Sequence, residues 1–282
     1  MPPTVLVLGA TGKTGRRLVP RLVDRGATVR SATRRPAREG DVLFDWHRPQ
    51  THRPALAGAD AVFLVGPELV EDHSPLAGPF LELAVDAGAS RVVALSALGV
   101  ELDVGGPEPG HRKVERQVMA TGLEWTTLRP SAIAQNLSEG FQLPGILHHD
   151  AVVAPTGEGA VGFVDADDIA AVAAAALTED GHAKAEYRLT GPEALTYAEV
   201  AATISAAAGR PVAHHDIAPD ALADALRADG VPDDYAAMLL GHLAAIRRGE
   251  GATVTDHVEQ VTGRPATSFA DFAARAAPAW RR

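Results

Sequence analysis

Four consecutive apolar residues, Val5-Leu6-Val7-Leu8, run straight into Gly9-Ala10-Thr11-Gly12-Lys13-Thr14-Gly15, and no other stretch of the chain constrains its fold as tightly. A short all-apolar run suits a strand buried on both faces of a parallel sheet. After the glycines, Arg16-Arg17-Leu18-Val19-Pro20-Arg21-Leu22-Val23 spaces its apolar residues as a helix does, and a second β-rich run begins at Ala27-Thr28-Val29. Strand, glycine turn, helix, strand is the order in which glycines let the backbone approach a pyrophosphate lying on the first amides of the helix. The spacing is G-x-x-G-x-x-G rather than G-x-G-x-x-G, and a glycine-rich turn that binds nothing is the bland alternative. Gly9, Thr11, Gly12, Lys13, Thr14 and Gly15 are the candidate dinucleotide contacts.

The end of the second strand chooses between cofactors. An acid about 20 residues beyond the glycines accepts the ribose 2′-hydroxyl of NAD, whereas the 2′-phosphate of NADP calls for a cation. Here the strand ends Arg30-Ser31-Ala32-Thr33-Arg34-Arg35-Pro36, with no acid, so NADP(H) is expected. Arg34 comes first at the carboxyl end and is the better phosphate ligand, with Arg35 stacking or assisting. Two solvated surface arginines are the alternative.

With 282 residues the chain is long enough for one large α/β domain, with or without a lobe. A net charge of −10 argues against a nucleic-acid surface. The chain has no cysteine, which removes disulfides, thiolate nucleophiles and zinc–thiolate sites. The first strand leaves no room for a signal peptide and no apolar run reaches membrane-spanning length, so a soluble, cytoplasmic protein is expected.

Further along, Asp41-Val42-Leu43-Phe44-Asp45-Trp46 reads as a third strand, with Asp45 placed for the adenine amine and Phe44 or Trp46 for a ring face; a plain core aromatic competes with that reading. Ala59 to Val65 is the fourth strand, and Gly66-Pro67 after it would let the nicotinamide-side ribose pass. A loop from Glu68 to Pro79 and a helix from Phe80 to Ala87 capped by Gly88 follow. Arg91 to Ala97 is the fifth strand, with Ser96 at the carboxyl end where ligands bind in open α/β sheets. Beyond a gap rich in Gly and Pro, from Gly105 to Gly110, a helix runs from His111 to Met119 and a sixth strand reaches Pro130, a further cofactor contact. The alternating units predict a doubly wound parallel α/β sheet of Rossmann type.

Gly9-x-x-Gly12-x-x-Gly15, Thr33-Arg34-Arg35-Pro36, Leu95-Ser96-Ala97, Thr127-Leu128-Arg129-Pro130, Asn136, Asp165-Ala166-Asp167-Asp168-Ile169-Ala170 and Tyr187-Arg188-Leu189-Thr190-Gly191-Pro192 together resemble the NmrA-like branch of the atypical short-chain dehydrogenase/reductases, over nearly the whole chain. Within it, Phe44-Asp45-Trp46 and Thr262-Gly263-Arg264-Pro265 followed by Phe269 resemble bacterial relatives of the ergot-alkaloid cyclisation reductase. That branch includes quinone reductases and NADPH-sensing regulators, so the resemblance implies fold and cofactor more firmly than reaction.

Short-chain dehydrogenases usually pair a Ser with Tyr-x-x-x-Lys, the Lys lowering the Tyr pKa for proton exchange with an alcohol or carbonyl oxygen. The matching helix here reads His111-Arg112-Lys113-Val114-Glu115, with His for Tyr and Glu for Lys. Iminium, quinone or activated-alkene reduction needs little or no proton donation before hydride arrives, and His111 can orient substrate or donate a proton there. Ser96 is the second catalytic candidate; for each, a structural duty is the alternative. His148-His149-Asp150 and His214-His215-Asp216 lack a third fixed ligand and no metal is expected. Asp165, Asp167 and Asp168 open an Ala-rich helix through Leu177 as capping acids.

Asn136 to Gly159 shows little periodicity and reads as a mobile segment. Thr196 to Ala208 is a helix with a Thr196/Glu199 capping box, stopped by Gly209-Arg210-Pro211. Asp220 to Ala228 and Asp233 to Arg247 are two more helices, and Tyr235, Met238 and Phe141 are candidate pocket walls, with ordinary core packing the competing duty for each. The expected division is an NADP-binding core over residues 1–136, completed by about 157–192, with 137–156 and 193–282 forming a small, mostly helical substrate lobe and lid. A small-molecule substrate is expected, with neither nucleic acid nor membrane as partner, and a homodimer stays open. Two functions follow: an NADPH-dependent reductase of a small, largely apolar electrophile (iminium or imine, quinone or enone), or a non-catalytic NADP(H)-binding redox-sensing regulator.

Overall fold

The computed structural model describes residues 2–102 and 107–282. In chain order it contains β1 (Thr4–Val7), α1 (Gly15–Asp24), β2 (Thr28–Thr33), β3 (Asp41–Leu43), α2 (His52–Leu56), β4 (Ala61–Leu64), α3 (Ser74–Asp86), β5 (Arg91–Leu95), α4 (Gly110–Ala120) and β6 (Glu124–Pro130). There follow α5 (Leu143–His149), β7 (Ala151–Val153), β8 (Ala160–Val161), α6 (Ala166–Thr178), β9 (Ala185–Leu189), β10 (Leu195–Thr196) and α7 (Tyr197–Ala208). The chain ends with β11 (Ala213–His215), α8 (Pro219–Ala228), α9 (Asp233–Arg247), α10 (His257–Thr262) and α11 (Phe269–Trp280). Of the expected gap from Gly105 to Gly110, Gly105 and Gly106 lie outside the described residues.

Two compact units form. The first comprises 1–100, 108–129 and 166–188, the second 101–107, 130–165 and 189–282. The first unit is smaller than the sequence pattern suggests: 130–136, 157–165 and 189–192 belong with the second unit.

The first unit is built on a seven-stranded sheet of order β3-β2-β1-β4-β5-β6-β9. β1 pairs in parallel with β2 (Val5 opposite Val29) and with β4 (Val5 opposite Ala61), so the strand order reverses between β1 and β4. Such a reversal opens a crevice at the carboxyl ends of the two strands. Successive strand residues face opposite sides. Leu6, Leu8, Val62, Leu64 and Val92 join Phe80 of α3 and Val114 and Val118 of α4 in one core, while α1 packs with α6. That is the doubly wound Rossmann-type arrangement.

α3 starts six residues earlier than the Phe80 expected. Asp72 accepts from the Ser74 amide and hydroxyl and nucleates the turn, Pro75 stands in the first turn where a missing N–H costs nothing, and Pro79 forfeits one bond inside the helix.

The second unit has its own core, in which Val200 and Ile204 of α7 meet Phe269, Phe272 and Trp280 of α11. Two small ladders support it: β7 beside β11 in parallel and β8 against β10 antiparallel. The expected capping box is formed, Thr196 Oγ1 accepting from the Glu199 amide while the Glu199 carboxylate accepts from the Thr196 amide. The stretch from Asn136 to Gly159 is corrected: it holds α5, ended by Asp150 in the left-handed region (φ 53°), and β7, with Gln142 Nε2 donating to the Val153 carbonyl. α10 and α11 carry no periodic reading in the sequence analysis. Ser268 caps α11 by accepting from the Asp271 amide, and the Trp280 indole N–H donates to the Leu137 carbonyl at 2.8 Å.

Trp280 is fully buried. Trp280→Ala is expected to lower the free energy of unfolding by about 3–5 kcal/mol in denaturant titrations, and a loss below about 1 kcal/mol would show that α11 is not docked as described.

Candidate active site

The glycine turn is shaped by three different needs. Gly9 takes a φ of +61°, open to glycine at little cost, and its carbonyl accepts from the Gly12 amide at 2.9 Å. A Cβ on Gly15 would stand 2.1 Å from the Gly9 oxygen, so only glycine lets α1 begin this close to the end of β1. Gly9, Thr11 and Gly12 are exposed, Lys13 is half-buried, and Thr14 and Gly15 are buried at the helix start. Burial lowers the Lys13 pKa against the raising influence of Glu68. The Arg17 guanidinium donates to the Lys13 carbonyl at 2.8 Å and pairs with Asp167 at 3.2 Å, and Arg21 pairs with the same carboxylate at 3.1 Å. Asp167 therefore ties α6 to α1, a structural duty beyond the expected complement to the helix dipole. Asp165 is also structural, a buried carboxylate held by Gln135 and Arg275.

Arg34 and Arg35 line a cavity of about 560 Å³ together with Thr11 and Thr33. Thr33 Oγ1 accepts from the Arg35 amide, and among the described residues neither guanidinium is held by a carboxylate. Two arginines without an acid, beside an exposed glycine turn, fit an anionic dinucleotide. Asp45 is half-exposed and accepts from the His47 amide at 3.0 Å, leaving carboxylate capacity for an amine. Trp46 is corrected. β3 stops at Leu43, after which Phe44 and Trp46 turn inward and Asp45 between them turns out; Trp46 packs edge-on against Phe44 and Phe80 and donates its indole N–H to the Val65 carbonyl. It is a core aromatic.

Gly66 is corrected too. The space its missing side chain leaves is filled by the ring of His73, whose Cδ2 would lie 2.6 Å from a Cβ there. Pro67 follows it, half-buried, and Pro130 is buried at the end of β6. Of the candidate pocket walls, Phe141 is exposed, while Tyr235 and Met238 are half-buried. His214 Nε2 bonds the Ala154 carbonyl and Asp216 pairs with Arg247. Among the described residues, no three His, Asp or Glu side chains gather as metal ligands.

The catalytic candidates separate into two pairs. Ser96, buried just past β5, turns its hydroxyl toward Glu115 without a well-formed hydrogen bond. Glu115, at the position of the usual Lys, is fully buried and receives two bonds from Arg129 of β6, at 2.8 and 2.9 Å, with Arg112 at 3.3 Å. Burial alone would raise its pKa, but the Arg129 hydrogen bonds and charge hold it below the ordinary value. Arg129 also pairs with Glu186 at 2.7 Å. His111, the second residue of α4, meets the buried His73, ring centres 5.0 Å apart and planes at 78°.

His73 has no signal in the sequence beyond being a histidine in a loop. The loop is latched to α4: Glu71 Oε1 accepts from the Gly110 amide at 2.9 Å, Lys113 Nζ donates to Asp72 at 2.6 Å, and a Cβ on Gly110 would strike the Glu71 carbonyl at 2.2 Å. Burial opposes the charge on Asp72, but hydrogen bonds from Lys113 and Ser74 win and lower its pKa from 3.8 to about 2. Burial pushes the His73 pKa down, against a hydrogen bond to the Glu71 backbone and the charges of Asp72 and Glu71.

A depressed carboxyl pKa stabilises the fold above its unfolded value and ceases to do so as the pH falls through the folded one. The stability difference between the unmodified chain and Asp72→Asn is therefore expected to be constant above pH 3.8 and to shrink toward pH 2, as read by denaturant titration at stepped pH. A difference that does not change over that range would show the latch carries no charge.

The NAD(P)H-binding family model matches residues 9–180. The uncharacterized oxidoreductase YesF of Bacillus subtilis is 39% identical over 98% of this chain and 96% of its own length. An NAD(P)H azoreductase of Xenophilus azovorans is 36% identical, covering 95% of this chain and 96% of that protein, and festuclavine synthase II of Penicillium roqueforti is 34% identical, covering 98% and 99%. The crystal structure of NmrA, a negative transcriptional regulator, with NAD superposes with a TM-score of 0.76 at 17% identity, over 98% of this chain and 96% of that one, a likeness of fold. The glycine turn, the sheet order and these relatives place the chain in the NAD(P)H-binding family, as an NAD(P)H-dependent oxidoreductase.

Proposed function

We propose that the chain is an NADPH-dependent reductase of small, largely apolar electrophiles: iminium or imine, quinone or enone. One observation carries the reading. The carboxylate standing in place of the usual lysine is consumed in a buried ion pair with Arg129, so nothing at that position lowers the pKa of an acid for work on a ketone oxygen. When bound, the nicotinamide supplies hydride. The Gly9–Gly15 turn takes the pyrophosphate, Arg34 and Arg35 with Thr11 and Thr33 take the 2′-phosphate, and Asp45 takes the adenine amine. His111 gives a ring proton to the oxygen of a quinone or enone as charge builds there; an iminium requires none. Relatives named for azo reduction and festuclavine synthesis accord with acceptors other than simple ketones.

For the cofactor, NADPH is expected to bind more tightly than NADH, and Arg34→Ala to remove most of a preference of about tenfold or more in titration calorimetry. Equal affinities in the unmodified chain would refute the assignment of Arg34.

For the chemistry, NADPH oxidation is to be followed across iminium, quinone, enone and ketone acceptors. Ketones are expected to be slowest, and His111→Ala to slow quinones and enones by about a hundredfold while sparing iminium acceptors. Fast ketone turnover abolished by His111→Ala would refute the reaction type. A chain that binds NADPH and reduces nothing would instead be the redox-sensing regulator.

A further inference from the structure

His73 stands out among the buried polar side chains. An imidazole removed from water costs free energy unless its N–H finds an acceptor, and a phenylalanine would fill the same space without that cost. Here its hydrogen bond goes to the backbone of Glu71, its own loop. The fold nevertheless makes room for this ring: the end of β4 carries Gly66, where any side chain would collide with it. It also prevents the ring from drifting. Glu71 on the Gly110 amide, Asp72 on Lys113 and Gln117 Nε2 on the Ser74 carbonyl at 3.1 Å bind the loop to the first two turns of the helix that carries His111. What the buried ring meets, at the end of this construction, is the imidazole of His111.

We propose that His73 is a positioning residue for His111: its flat ring, seated in the Gly66 notch and latched to α4, fixes the orientation in which the His111 imidazole presents its proton. The assignment rests on the reading of His111 as the proton donor. Charged groups acting on His73 are Glu71 and Asp72 of its own loop, and Asp72 is itself paired with Lys113 of α4. Burial lowers the His73 pKa, against the pull of Glu71 and Asp72, which favours the neutral ring beside His111.

Three substitutions separate the ring from its hydrogen bond. His73→Ala removes both, His73→Asn keeps a donor for the Glu71 carbonyl without the ring, and His73→Phe keeps the ring without the donor. Two readouts apply to the full chain: the ring-nitrogen chemical shifts of His111 by NMR, and kcat for quinone, enone and iminium acceptors with NADPH affinity measured in parallel. Expected are moved His111 shifts and a loss in kcat of about tenfold or more for quinone and enone in the Ala and Asn variants, with iminium turnover and NADPH affinity kept, and recovery of most of that loss by Phe. Unmoved His111 shifts, an equal loss for every acceptor, or a folded Phe variant no better than Asn would overturn the proposal. Should Ala not fold, Asn carries the same comparison. If the unmodified chain reduces no acceptor, the reductase reading fails, and the His111 shifts alone still decide whether His73 positions that ring.

Discussion

At 2.1 Å from the Gly9 carbonyl, a Cβ on residue 15 could not exist, and this close approach of α1 to the end of β1 governs what the first unit can hold. It brings the start of the helix against the strand end, forces the turn between them into a left-handed conformation at Gly9, and leaves Gly9, Thr11 and Gly12 exposed. Arg17, in the first turn of the helix, donates to the Lys13 carbonyl and pairs with Asp167 of α6. The exposed glycine turn is thus a consequence of steric closeness, and the two arginines after β2 lie beside it.

Position 115, where short-chain dehydrogenases usually carry a lysine, is given over to structure. Replacing an ammonium by a carboxylate at position 115 would leave a buried charge uncompensated, and the fold answers with Arg129 on the neighbouring strand, itself also paired with Glu186. Breaking such a pair costs several kcal/mol because the survivor stays buried. Glu115 and Arg129 are in this way locked together, and neither is at liberty to exchange protons with a ligand. In the proposed reading acid–base work falls to His111, one turn before Glu115 on α4, whose ring meets the buried His73.

The second unit holds together on its own terms. Its core joins α7 to α11, two helices far apart in the sequence, with the capping box of Thr196 and Glu199 setting one start and Ser268 the other. The Trp280 indole satisfies the Leu137 carbonyl, tying the last helix to the segment that follows β6. Backbone polar groups in that segment find partners inside the unit, which is why a stretch of weak periodicity is ordered.

Local physics made much of this readable in the residues alone. An all-apolar run suits a strand buried on both faces, glycines three apart between strand and helix suit a backbone approached by a phosphate, Thr196-x-x-Glu199 announces a helix start, and a strand ending in two arginines without an acid suits an anion. Each depends on neighbours within a few positions. Tertiary structure decided the remainder. Phe44 and Trp46 look identical as adenine platforms or core residues until the chain turns inward after Leu43, and Gly66 looks like passage for a ligand until His73, seven residues on, fills the gap. Asp72 meets Lys113 across 41 residues and Arg17 meets Asp167 across 150. Pairings of that range leave no periodicity behind, because they arise only when packed helices bring distant turns together, and that is why the His73–His111 contact belongs to the fold rather than to the sequence.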